Sequence, residues 1–142
     1  MIWPHLFEYR LREWNDLRQD VQSLDAESCL MMVNDWWMRC PISTQHIAWE
    51  DWVEWPDPWE LLLDNTWCDL TRSMGITYTL GLLFRDDIEN VYIIDSNEGI
   101  MVEVGDTKYR LGYCFGDLHA TSDDLTITRS IDAKKLKHYK SQ

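Results

Sequence analysis

DPWELLLDNTWCDLTRSMGI, residues Asp57–Ile76, is the stretch whose reading decides the fold. Its spacing predicts one helix with both ends marked. Asp57 suits the cap, Pro58 the first helical position, and Glu60 completes a capping box with Asp57. Gly75 stands where a helix often ends in a left-handed residue. Trp59, Leu62, Leu63, Thr66, Leu70 and Met74 recur at helical spacing, so one stripe is built for burial. The chain before this stretch is Trp-rich and reads as helical. The chain after it holds no Trp and reads as strands.

Working outward, residues 5–24 place Phe7, Leu11, Trp14, Leu17, Val21 and Leu24 on one stripe, with charged residues opposite. Asp25 caps a second expected helix, Ala26 to Met38, which stops before Pro41. Trp49, Trp52 and Val53 fit a short helical turn, and Pro56 and Pro58 make the approach to the central helix extended. After Gly75 the period changes. Residues 76–84, ITYTLGLLF, alternate and are rich in β-branched and aromatic types, which predicts a strand. Further strands are expected at 91–95, 100–104, 107–113 and, as a last edge, 125–129, with a tight turn at Ser96–Gly99. Helices first and an antiparallel meander afterwards predict an α+β domain, with N-terminal helices and a buried central helix packed on an antiparallel β-sheet. The expected organisation is one domain over residues 1–128, with a Trp-rich helical segment (residues 1–75) and a β meander (residues 76–128). A basic tail follows, residues 129–142.

The 142 residues suit a single core that buries roughly 68–70% of the unfolded surface. No apolar run approaches the ~20 residues of a membrane span. MIWPHLFEYR lacks a basic region followed by an apolar core, so no secretory signal is expected. A net charge of -12 opposes general nucleic-acid binding. In the tail Arg129, Lys134, Lys135, Lys137 and Lys140 face a lone Asp132, which suits a solvated segment, a partner, or the acidic face of a neighbouring copy. Cys29, Cys40, Cys68 and Cys114 are scattered, with no CxxC pair or His at ligand spacing; free, mostly buried thiols are the expectation.

All nine Trp lie at or before Trp67. One aromatic core packed on the central helix explains them. The sharper alternative leaves some exposed as interface anchors, where Trp is enriched, and a sugar-stacking platform is a third. For contact the candidates are Trp36, Trp37, Trp49, Trp52 and Trp55, with the tail lysines Lys134, Lys135, Lys137 and Lys140.

The chain holds no GxGxxG, GxxxxGK[ST], HExxH or GxSxG motif. His5, His46, His119 and His138 stand alone, and the pairs Asp86-Asp87 and Asp123-Asp124 lack a Gly-centred calcium loop. One catalytic arrangement is worth weighing: Cys68 or Cys114 as thiolate, His119 as base, Asp117 or Asp123 as the orienting carboxylate. Within a helix starting at Asp57, Cys68 lies about ten residues in, away from the N-terminus that activates thiols.

Arg72-Ser73-Met74-Gly75-Ile76 resembles the segment that ends the nucleophile-bearing helix of the transglutaminase-like cysteine enzymes. Gly99–Val104 is similar to that family's His-bearing strand, and the triad Asp would fall near Asp117. The resemblance spans residues 57–117 and implies a transglutaminase-like core. Counted back from Gly75, its nucleophile position falls near Trp59 or Glu60, and its His position at Gly99 or Ile100. None of these is Cys or His, so the resemblance implies an inactive relative that keeps the scaffold. VNDWW, WPDPWELLLDNTWCD and GITYTL together look like small proteins encoded by tailed bacteriophages. That resemblance implies a non-enzymatic structural or assembly protein of the virion (neck, tail or baseplate), made in the host cytoplasm. It would contact other virion proteins and copies of itself as a homo-oligomer, with no cofactor, no direct nucleic acid and no membrane. The alternatives are a cysteine enzyme of transglutaminase or peptidase type, and an acidic host-takeover or anti-defence protein imitating nucleic acid.

Overall fold

In the computed structural model, which describes every residue except Met1, His46, Thr107, Ser141 and Gln142, the central stretch is two helices rather than one. Helix α1 spans Phe7–Val21, α2 Ala26–Trp37, α3 Pro58–Asp64 and α4 Asp69–Leu82. Asp57 caps α3 as its spacing predicts, accepting the Glu60 N–H at 2.8 Å. The break comes at Asn65, whose φ of 53° is left-handed and ends the helix. Asn is among the few side chains that tolerate this conformation. Its Oδ1 also accepts the indole N–H groups of Trp3 at 2.8 Å and Trp67 at 2.9 Å. Cys68 then caps α4: its N–H donates to Thr71 Oγ1 at 2.8 Å, and that hydroxyl lies 3.5 Å from Cys68 Sγ.

Gly75 lies inside α4, and the expected strand 76–84 is the second half of this helix. Every residue from Leu70 to Leu83 except Arg72 is buried. A helix buried all round has no polar face to mark its 3.6-residue period, and Ile76, Thr77 and Thr79 suit a strand equally well. Packing therefore overrides propensity. Gly75 is needed for approach. A Cβ there would stand 2.4 Å from Cη2 of Trp37.

Helices α1 and α2 match expectation, with Asp25 accepting the Ser28 N–H at 3.1 Å. The expected turn between Ala48 and Trp55 is a 3-10 helix, Trp49–Glu54. The sheet contains β1 Tyr92–Ser96, β2 Gly99–Val104, β3 Tyr109–Leu111 and β4 Ile127–Asp132, all antiparallel, in the order β3-β2-β1-β4. The β1–β2 hairpin turns at Asn97-Glu98, with Ser96 opposite Gly99. A simple meander would set β4 beside β3; instead it crosses over and pairs with β1, Ile93 opposite Ile131. Ile93, Val102, Leu111 and Ile131 join the same core as α4. The fold is α+β.

The organisation along the chain is corrected accordingly. The helical region extends to Leu82, and the described residues 129–140 do not form a separate tail. They begin inside β4 and continue with buried Ala133 and Leu136. Tyr139 packs so closely on Gly81 that a Cβ there would lie 2.8 Å from its ring. Ile131, Ala133, Leu136 and Tyr139 bind the segment to the core, while Lys134, Lys135 and Lys140 stay exposed and Lys137 is at the surface. Among the described residues no helix is long and apolar enough to cross a membrane.

Gly75→Ala removes a helix-disfavouring glycine, worth up to about 1 kcal/mol in stability at an open site. Here overpacking against Trp37 dominates, and denaturant unfolding should show a net loss of about 1–3 kcal/mol.

Candidate functional site

The tryptophans build the core first. Trp3, Trp36, Trp37 and Trp67 form a cluster with ring centroids 4.7–5.9 Å apart. Trp14 and Trp37 both donate to Thr79 Oγ1, at 2.9 and 3.0 Å. Trp49 and Trp55 pack edge to face at 5.9 Å, Trp55 donating to Ala48 O at 3.0 Å. Trp36, Trp37, Trp49 and Trp55 are therefore buried in their own chain, and Trp52 is half-buried. This corrects the expectation that they stand free as contact anchors, because their faces and several N–H groups find partners inside. Trp36 also lines a surface groove.

That groove, about 360 Å³, is lined by Leu17, Met32, Asp35, Trp36, Arg39 and Phe115. Phe115 is 64% exposed, an unusual place for a phenyl ring. Its position follows from α2. Asn34 is fully buried near the end of that helix, and its amide is spent on the loop 112–117. Oδ1 accepts the Gly112 N–H at 2.7 Å, and Nδ2 donates to Cys114 O at 3.0 Å and to Asp35 Oδ1 at 3.1 Å. Asp35 Oδ1 in turn accepts the Gly116 N–H at 2.7 Å, and Arg72 Nη2 donates to Gly112 O at 2.7 Å. Gly112 and Gly116 have φ of 85° and 74°, a conformation that side chains resist. The loop is therefore built from helix-anchored bonds at both glycines, and Phe115 projects between them. Satisfied buried networks of this kind rigidify what they hold.

The catalytic arrangement weighed in the sequence is not assembled. Cys114 donates its S–H to Phe115 O at 3.6 Å, while the His119 ring packs on Tyr109 at 5.5 Å. Asp117 Oδ1 accepts the backbone N–H of His119 at 2.7 Å rather than its imidazole, and Asp123 is exposed. Among the described residues no hydrogen bond joins Cys68 or Cys114 to His119. Cys68 does not lie ten residues into a helix; it stands at the cap of α4, 2% exposed. Burial pushes the Cys40 thiol up to about 12 and raises Cys29 as well. All four cysteines are free.

Trp59 and Glu60 belong to α3, so the count back from Gly75 crosses the break at Asn65 and leaves its helix. Trp59 packs edge to face on Trp14 at 5.7 Å. Gly99 and Ile100 open β2 beside the first turn of α4, where Asp69 Oδ2 accepts the Ile100 N–H at 3.0 Å. His5 is exposed, His138 is half-buried near Tyr78, and His46 lies outside the described residues. Asp87 pairs with Arg85 at 2.7 Å, and Asp86, Asp123 and Asp124 are at the surface. Among the described residues no group of three His, Cys, Asp or Glu is placed to hold a metal.

Asn34, Asp35, Met32 and Phe115 were not among the sequence candidates. Two signals point to them: the polar pair in VNDWW amid an apolar run, and a phenyl ring beside glycines in GYCFG. No protein-family model matches the chain, and neither the curated proteins nor the solved structures give a significant match.

Asn34→Ala leaves the Gly112 N–H without its partner and takes one of its two donors from the Cys114 carbonyl, which keeps only the Asp117 N–H at 3.4 Å. At about 1–3 kcal/mol per unsatisfied group, global stability should fall by a few kcal/mol. Amide hydrogen exchange should quicken at Gly112 and Gly116 before it does in α4.

Proposed function

We propose that this protein is a non-enzymatic assembly component of a tailed-phage particle, of the neck, tail or baseplate kind, acting through protein–protein contacts. The observation that carries the reading is Phe115, held 64% exposed at the rim of an apolar groove by bonds from buried Asn34 and from Asp35. An exposed aromatic on a rigid loop loses little conformational freedom on binding, which is how interface hot spots concentrate affinity. The surface lysines Lys134, Lys135, Lys137 and Lys140 add a cationic strip to a chain of net charge -12, suited to an acidic protein neighbour. The phage-like character of VNDWW and WPDPWELLLDNTWCD supports the particle as the setting, and the acidity supports a role without direct nucleic-acid contact.

The test is co-purification with intact particles. A tagged chain should band with them through a density gradient, and Phe115→Ala should reduce its occupancy while leaving the circular dichroism unchanged. A protein absent from particles sinks the reading.

A cysteine enzyme is the second reading, and one observation favours it: Cys68 caps the buried central helix. Its sulfur is nevertheless enclosed and contacted by Thr71. With a thiol-reactive probe at neutral pH, Cys114 should label first and no faster than a free thiol. Cys29, Cys40 and Cys68 should label only on unfolding. A Cys68 that outpaces a free thiol would move the assignment to the enzyme.

A further inference from the structure

Residues 126–140 lie on the rest of the chain as an arm. β4 runs along β1 with Ile131 opposite Ile93, and the Ala133 N–H extends the ladder to Val91 O at 2.9 Å. Past the strand, Leu136 is buried and Tyr139 lies against Gly81 of α4. The arm is held at few points. Ile127, Thr128, Arg129 and Ser130 are exposed, and its buried residues are Ile131, Ala133 and Leu136. The ion pairs of Arg129 with Asp95 and Glu50 sit at the surface, where such pairs add little. Where the arm meets residues 85–91, a cleft of about 250 Å³ opens between Asp132, Ala133, Lys134 and Tyr139 on one side and Ile88 and Val91 on the other. Without the arm, β1 becomes a bare edge strand, which is a template for pairing with another chain.

The link to the arm has slack. The Arg110 N–H of β3 donates to Leu118 O at 2.9 Å, so it faces away from β2 and Leu118 sits outside β3. Thr126 is fixed at the β1–β2 turn, where the Asn97 N–H donates to its carbonyl at 3.0 Å. Residues 119–125 therefore cross the ends of β3, β2 and β1 to reach β4, four strand spacings or about 19 Å. The Cα steps from Leu118 to Thr126 can span roughly 27 Å when extended. Side-chain bonds tie this link down, Arg110 to Thr121 at 3.1 Å and Ser122 to Glu98 at 2.8 Å.

We infer that the arm exchanges between copies: residues 126–140 of one chain lie along β1 of a second copy, and the reverse, in a two-fold dimer hinged at residues 119–125. The occupant of the uncovered face is visible in the structure, because every contact the arm makes on its own chain exists unchanged on a second copy. Exchange of an identical element is a low-cost route to a dimer, set by the link and by concentration rather than by new contacts. This face is separate from the Phe115 groove, and the inference stands apart from the particle reading.

Two variants, both with the partly exposed Cys114 replaced (Cys114→Ser), test this directly. One carries Tyr92→Cys and the other Asp132→Cys, positions that face each other across the β1–β4 ladder. Unfolded together, refolded at high micromolar concentration and mildly oxidised, they should yield a disulfide-linked heterodimer. One chain with both substitutions, refolded dilute, should close on itself. Removing residues 121–124 leaves a link of roughly 14 Å, too short to reach β4 within one chain. By light scattering that variant should be dimeric where the wild type is mostly monomeric, with unchanged circular dichroism. A mixture that gives no heterodimer while the double variant closes on itself overturns the inference. So does a folded, monomeric deletion variant. Should the deletion variant fail to fold, the cysteine mixture decides; should neither cysteine pair close, the deletion variant does.

Discussion

One hydroxyl fixes how the helices meet. Thr79 Oγ1, fully buried in α4, accepts the indole N–H of Trp14 from α1 and of Trp37 from α2, and donates to the Gly75 carbonyl one turn earlier. Two large rings are thereby oriented on one face of one helix. A buried indole N–H without a partner costs about 1–3 kcal/mol, so the two bonds tolerate little displacement of either helix. The Gly75 backbone, lacking Cβ, lets the Trp37 ring lie against it. Threonine and glycine are weak helix formers in general. In α4 they are what allows two tryptophans to enter, and packing of those rings offsets the lost propensity.

The rest of the aromatic layer extends from this point. Trp37 touches Trp3, Trp36 and Trp67, and Trp67 and Trp3 share the Asn65 side chain that also breaks the central stretch. The break has a topological consequence. It ends α3 so that α4 starts at Asp69, after its cap Cys68 and against the opening of β2, where Asp69 accepts the Ile100 N–H. On the far side Arg129 of β4 bonds Asp95 and Glu50, both at 2.9 Å, and lies over the Trp49 ring. These exposed ion pairs are individually weak. Their value lies in tying the edge strand to the 3-10 helix.

Legibility in the sequence followed the presence of a solvent-facing side. Helix α1 has buried Trp14, Leu17 and Val21 opposite Glu8, Arg12 and Asp16 at the surface, so its period could be read directly. Asp25, Asp57 and the Ser96–Gly99 turn were legible because caps and tight hairpins are local chemistry. Helix α4 reads as helix then strand because burial on all sides erases its period, and Gly75 mimics a stop that Trp37 in fact requires. Asn65 carries the true stop, but DNT in a helical run announces it weakly. Pairing of β4 with β1 is a long-range choice that no local pattern encodes. The candidate site was the least legible region. Asn34 reaches residues 78 and 80 positions away, a relation visible only after folding.

The same physics explains why the abundance of Trp does not mark a contact surface. Nine indoles in a small domain suggest a surplus, yet where α4 meets the Trp14 and Trp37 rings its own residues are small, Gly75 and Thr79. Large rings from α1, α2 and the segment before α4 fill that space, so abundance measures what the core lacks. What remains for the surface is decided by α2, whose inward side carries Val33, Asn34 and Trp37 and whose outward side carries Met31 and Met32. A helix whose inner face is fixed by a hydroxyl and a buried amide cannot rotate to hide its outer one. Phe115 is exposed for the same reason, since burying it would break the bonds Asn34 and Asp35 make at Gly112 and Gly116. The constraint that packs the core is thus also what leaves an apolar stripe facing outward.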